Sequence, residues 1–185
     1  ITSQYLGAKS YRQMKTSVYT ALISFLALSI VLSIIGLFGN KWILTRLNTP
    51  TNILSDAMLY LKIYFVGLPF LFMYNILSSV FNALGNSKTP LYLLIFSSLL
   101  NIVLDLLTVK VFGLGVAGVA IATVFAQGLS AVISFCLLLK QLKTYETAEE
   151  LQERKLYDIM MLGSMIKVAL PSMLQQSIVS IGMLL

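Results

Sequence analysis

An acid set deep in an apolar run constrains this chain more than any other feature. The stretch 89–112 reads TPLYLLIFSSLLNIVLDLLTVKVF, with Asp105 well inside it. That length crosses a bilayer as a helix. A carboxylate at such depth costs a few kcal/mol, so an apolar residue would make the more stable helix. Asn101 lies four residues earlier, one helical turn away on the same face. The pair offers a carboxylate and an amide carbonyl to one small volume, and such oxygen donors suit a hard cation or a transferable proton. Two readings stand. Asp105 holds an ion or proton, or it pairs with a neighbouring helix or is wetted near the interface. Intramembrane acids are functional by default, which favours the first.

The chain is 185 residues long, 58% hydrophobic and only 11% charged, with a mean hydropathy of +0.88. No soluble domain of this size needs so much apolar surface. Several segments approach or exceed about 20 apolar residues, so the fold class is all-α, a polytopic membrane helical bundle in contact with lipid. The net charge of +6 then reflects topology rather than a nucleic-acid partner. Cys136 is the only cysteine and there is no histidine. An intrachain disulfide is thereby excluded, and so are the commonest catalytic base and transition-metal ligand. The sequence opens at Ile1 without an initiator Met and closes at Leu185 inside an apolar run; a longer parent chain is expected.

Residues 1–17 are polar and carry Lys9, Arg12 and Lys15 with no acid, as a cytoplasmic juxtamembrane segment does. Apolar spans follow at about 18–38, 57–84, 90–112 and 116–139. Trp42 sits where an interfacial anchor would. The second span contains Gly67 and Pro69, which predict a kink near residues 66–68. Beyond it Asn75, Ser78, Ser79 and Asn82 form a polar stripe that bonds to other helices or lines a wet cavity. In the tight loop 85–90, Thr89 is expected as N-cap and Pro90 at the first helical position. The fourth span repeats Gly118, Ala122, Ala126, Ser130 and Ser134 every four residues, a stripe for close helix packing, and adds Thr123 and Gln127 as a polar pair. Residues 140–163 are the only long polar stretch. Thr147–Glu150 has a capping-box pattern and Glu150 with Arg154 an i,i+4 pair, which predicts a short surface helix. A fifth span begins at 164, interrupted by Pro171.

Orientation follows from the bases. If 1–17 is cytoplasmic, the inner loops hold Lys9, Arg12, Lys15, Lys88, Lys140, Lys143, Arg154 and Lys155, eight against Lys41, Arg46 and Lys110 outside. Asp105 then lies about 22 Å beyond Pro90, in the outer half of a core about 30 Å thick. Thr123 lies about 10 Å below the outer end of its own helix, at a matching depth; Asn75 comes out deeper.

Four stretches resemble the multidrug and toxic compound extrusion (MATE) transporters. They are Ser3–Lys9 (SQYLGAK), Gly67–Phe70 (GLPF) with Leu84–Pro90 (LGNSKTP), Leu100–Asp105 (LNIVLD), and Gly115–Thr123 (GVAGVAIAT) with Gln127. The resemblance implies a twelve-helix, two-lobe transporter that exchanges cationic organic compounds for Na⁺ or H⁺ across the plasma membrane, binds no nucleic acid, works as a monomer and needs no resident cofactor. It implies a partial N-terminal lobe over 1–139, a cytoplasmic inter-lobe linker at 140–163 and the first helix of the C-terminal lobe over 164–185. Asn101, Asp105 and Thr123 match the family's cation or proton site, with Na⁺ as the candidate metal ion. Asn75 matches a polar position of that network, and Ser78 and Gln127 match cavity positions. The acid that the family carries on its first helix has no counterpart in this sequence. The alternative transport reading is a flippase for a lipid-linked precursor, which would carry several bases inside its spans. An intramembrane enzyme is disfavoured, since the spans hold no His, no GxSxG and a single Asp.

Overall fold

The computed structural model describes residues 1–145 and 155–183. The described residues form helices and no strand: α1 Thr2–Gly7, α2 Tyr11–Arg46, α3 Leu54–Ala83, α4 Lys88–Leu106 with a π-helical turn at Leu107–Val111, α5 Gly115–Lys143 and α6 Ile159–Gly182. Four of them, α2, α3, α4 with its π turn, and α5, are long and apolar enough to cross a membrane. Helix α6 begins five residues before the run expected at 164. It carries Lys167, Gln175 and Gln176. The Thr147–Glu150 capping box and the Glu150–Arg154 pair lie outside the described residues.

Chain contacts define two units. The first joins Ile1–Ser24 to the described residues from Lys155 onward. Here the N-terminal turns of α2 bond to the approach of α6. Thr16 Oγ1 donates to the Lys155 carbonyl at 2.9 Å, and the Asp158 amide donates to Thr20 Oγ1 at 3.1 Å. The Asp158 carboxylate caps α6 by accepting from the Met160 and Met161 amides. That satisfies two donors which a helix start otherwise leaves open.

The second unit, Phe25–Tyr145, contains the candidate residues. Helix α2 runs antiparallel to α3 in a register that three contacts fix. The Phe25 and Phe72 rings lie 6.4 Å apart, Ser33 Oγ donates to the Phe65 carbonyl, and Asn40 Nδ2 donates to the Met58 carbonyl at 2.8 Å. Ser29, Ser33, Gly36 and Asn40 form the buried seam of α2. Their small side chains let α3 come close, and a methyl on Gly36 would overlap the Phe65 ring. Helix α5 packs against both α3 and α4. Gly67 of α3 lies against Val124, and Gly128 lies against Phe70, so α3 and α5 run parallel. Gly118, Ala122, Ala126, Ser130 and Ser134 are all buried, and the four-residue step continues through Leu138 and Leu142. Pro69 stands inside α3, which continues through it to Ala83.

The α3–α4 connection differs from expectation in one detail. The N-cap of α4 is Ser87 rather than Thr89, and the side chain that bonds the first turn is that of Asn86. Its Oδ1 accepts from the Thr89 amide at 3.2 Å and from Thr89 Oγ1 at 3.1 Å, and its Nδ2 donates to Gln141 Oε1 at 3.1 Å. Helix α4 begins earlier, at Lys88, which puts Pro90 at its third position. Proline has no amide hydrogen to donate, and the first turn would have left one without a helical partner in any case.

Candidate functional site

Helix α4 runs antiparallel to α5, and two polar side chains meet across the seam. Asn101 Nδ2 donates to Thr123 Oγ1 at 3.3 Å, and Thr123 Oγ1 in turn donates to the Val119 carbonyl of its own helix at 2.9 Å. With its nitrogen so engaged, Asn101 keeps its carbonyl oxygen as an acceptor. Asp105 stands one turn further along α4, half-buried, and its Oδ1 is buried with no hydrogen-bond partner. An anionic oxygen in that condition is costly unless a proton or cation joins it. The donors are therefore carboxylate, amide and hydroxyl oxygens, a hard set suited to a proton or an alkali cation. Among the described residues no group of three His, Cys, Asp or Glu side chains exists that would hold a transition metal.

The backbone next to Asp105 is irregular. Two residues on, the helix widens into the π turn, in which the Phe112 amide reaches back to the Leu107 carbonyl at 3.0 Å. Thr108 Oγ1 donates to the Leu104 carbonyl at 2.8 Å and, at 3.3 Å, to the carbonyl of Asp105 itself. Single π turns in α-helices concentrate at functional sites. Gly118 on α5 makes room for Thr108, whose Cβ would stand 2.9 Å from an added methyl. Sequence reasoning missed Thr108. The available signal was its position three residues past Asp105 on a helical face, but nothing in the sequence announces the π turn.

The other candidates lie apart from this group. Asn75 is exposed on α3, and its Nδ2 donates to the Leu71 carbonyl at 2.8 Å. In the parallel register of α3 and α5, Gly67 faces Val124 and Phe70 faces Gly128. Asn75 consequently sits about 13 Å further along the axis than Thr123, at 1.5 Å per residue. Ser78 lies further along α3 again, and Gln127 follows Thr123 by one turn; both are half-buried. So the structure brings Asn101 and Thr123 together beside Asp105, with Asn75 and Ser78 at a second level. Two buried polar atoms went unread in the sequence: Ser130 Oγ and Asn40 Oδ1, both without a partner. An apolar cavity of about 550 Å³ between α3 and α5, lined by Val66, Phe70, Val124 and Phe125 among others, contains none of the candidate residues.

Comparison with known proteins follows the same direction. A family model described as MatE matches residues 1–107. The Probable multidrug resistance protein YpnP of Bacillus subtilis is 36% identical over 140 residues, which is 76% of this chain and 32% of that protein. A second Bacillus subtilis protein, the Probable multidrug resistance protein YoeA, is 35% identical over 147 residues, 77% of this chain and 31% of its own length. The chain thus spans about a third of the length of the curated relatives it matches. Its fold is that of a solved structure described as the outward-facing conformation of a multidrug resistance MATE family transporter of the MOP superfamily. The TM-score is 0.86 at 22% identity, covering 98% of this chain and 40% of that one.

Proposed function

We infer the function from the family: the chain belongs to the MatE family, and it is a multi-pass membrane protein. On that premise we propose that it serves in an ion-coupled antiporter that exports cationic or other organic compounds across the plasma membrane, in exchange for Na⁺ or H⁺. Residues 1–139 supply most of an N-terminal lobe, 140–163 a cytoplasmic linker, and the helix after it the start of a C-terminal lobe. The transporter works as a monomer, and the coupling ion is cargo rather than a resident cofactor. The observation that carries this reading is the partnerless Asp105 Oδ1 beside the Asn101–Thr123 hydrogen bond, inside an apolar helix.

The mechanism follows from charge. Asp105 is the only acid inside the apolar spans, so it alone there gains or loses a unit charge when a proton or cation binds. Exchange requires that ion and drug differ in their affinity for the two conformations. An occupied Asp105 favours one conformation; an empty, charged Asp105 favours the other, which binds the organic compound. Asn75 and Ser78, at the second level, line the path of the compound.

The test is Asp105→Asn in the full-length transporter, which keeps shape and hydrogen-bonding capacity and removes the charge. Ethidium efflux from vesicles under an imposed H⁺ or Na⁺ gradient should fall by about tenfold or more, with surface expression unchanged and ethidium binding retained. Asn101→Ala should reduce coupling less, because water replaces one carbonyl ligand. Wild-type efflux from Asp105→Asn under both gradients would leave Asp105 as a packing residue. Protection only of cells that lack a lipid-precursor flippase would favour the flippase.

A further inference from the structure

In an α-helix the carbonyl of residue 65 accepts the amide of residue 69. In α3 residue 69 is proline, which has no amide hydrogen to give. Phe65 therefore holds the one carbonyl that Pro69 orphans, and it is the carbonyl to which Ser33 Oγ donates from α2. The bond is no accident of the α2–α3 seam. Gly36 clears the space beside the Phe65 ring, and Ser33 is buried where it stands. An unpaired carbonyl in an apolar layer is costly, and serine hydroxyls of neighbouring helices are one means of satisfying it.

Pro69 also divides α3 by how each part meets α2. The part before it is tied to α2 by hydrogen bonds at the Phe65 and Met58 carbonyls, the latter accepting from the buried Asn40. The part after it meets α2 through a ring contact, Phe72 beside Phe25, and carries Asn75 and Ser78. A serine hydroxyl has one proton, and the Phe65 carbonyl on α3 and a carbonyl back along α2 lie in different directions, so Ser33 serves one or the other. Within α2 the same seam already contains the competing arrangement: Ser29 Oγ turns back to the Leu26 carbonyl of its own helix at 2.7 Å.

We propose that α3 is hinged at Pro69 and that Ser33 is its latch. With the Ser33 hydroxyl on the Phe65 carbonyl, the two parts of α3 are held as they stand. When the hydroxyl turns back onto α2, as that of Ser29 does, the carbonyl is released and the part 70–83 swings against the anchored part. The swing moves Asn75 and Ser78 relative to the Asn101–Thr123 pair, which sits on α4 and α5 and does not share the hinge. Two exclusive bonds of one hydroxyl give two discrete states, as a switching element requires. The link from the hinge to transport rests on the exporter reading above; the latch itself does not.

The experiment is a double-mutant cycle on the full-length transporter in detergent, read by thermal midpoint. Ser33→Ala should lower the midpoint by about 2 °C. In a Pro69→Ala background, where residue 69 regains an amide for the Phe65 carbonyl, Ser33→Ala should cause no shift. If Ser33→Ala alone does not fold, Pro69→Ala must restore folding. Equal losses in both backgrounds overturn the latch. In vesicles, Pro69→Ala should bind ethidium as wild type does and export it at least about tenfold more slowly. Coupling in the thermal cycle together with wild-type export from Pro69→Ala overturns the hinge and leaves the exporter reading intact.

Discussion

At Gly67 the difference between a hydrogen and a methyl decides how closely α3 and α5 approach. A Cβ built there would overlap Cγ2 of Val124. Overpacking of this kind costs about 1–3 kcal/mol. Gly67→Ala should therefore lower the thermal midpoint of the full-length transporter, and Val124→Ala on the same background should recover most of the loss. Gly163→Ala is the control: nothing lies within 4 Å of the added carbon, so the midpoint should hold or rise. Asp105 and Gly67 were legible to different degrees. Asp105 declared itself, because a charge in an apolar run has no local explanation. Gly67 was readable only as part of a helix break with Pro69. That it seats Val124 depends on a neighbour 57 positions away in the chain, and no local pattern carries that information. Thr108 was hidden for a related reason: it bonds back to the Leu104 and Asp105 carbonyls beside a π turn that the sequence does not mark.

The helices themselves were largely legible from their apolar runs, and their ends less so. One device closes three of them. After α2, the Thr49 amide bonds to the Leu44 carbonyl and the Asn48 amide to Thr45, with Asn48 at φ 52°. After α3, the Asn86 amide bonds to Phe81 and the Gly85 amide to Asn82, with Gly85 at φ 78°. After α1, Ser10 and Lys9 repeat the pattern, with Lys9 at φ 55°. These are Schellman stops, which need a left-handed residue just past the helix. Asn48 and Gly85 suit that conformation and could be read as loop signals. Lys9 does not, and tertiary context overrides its preference. Helix starts were harder. Thr89 and Asn86 are both good caps by residue type; Ser87 takes the N-cap position, and Asn86, which also bonds to Gln141 on α5, supplies the side-chain acceptor. Asn86→Ala should remove about 1 kcal/mol from the start of α4. Hydrogen exchange at the Thr89 amide should then quicken by about fivefold, whereas Thr89→Ala should leave that amide protected.

Taken whole, the chain turns apolar surface outward. Phe38 is 88% exposed and Val111 69% exposed, while the buried positions of α5 include glycine, alanine and serine. That inversion is legible in composition, and it fits helices bathed in lipid rather than water. The positive-inside count predicts a direction, with Asn86 toward the cytoplasm and Asn48 toward the exterior. Single cysteines at the two positions should react with an impermeant maleimide from opposite sides. The exposed Cys136 has first to be changed to serine, or its own labelling would obscure the result. Reaction of both positions from outside would reverse the topology. The buried stripe on α5 has a mechanical consequence. Four residues turn an α-helix through about 400°, so each step of the stripe advances by about 40°. From Gly118 to Leu142 it winds around the rod like the thread of a screw. A thread ties travel to rotation. A neighbour that slides along α5 while keeping its seat on that thread would also revolve about it.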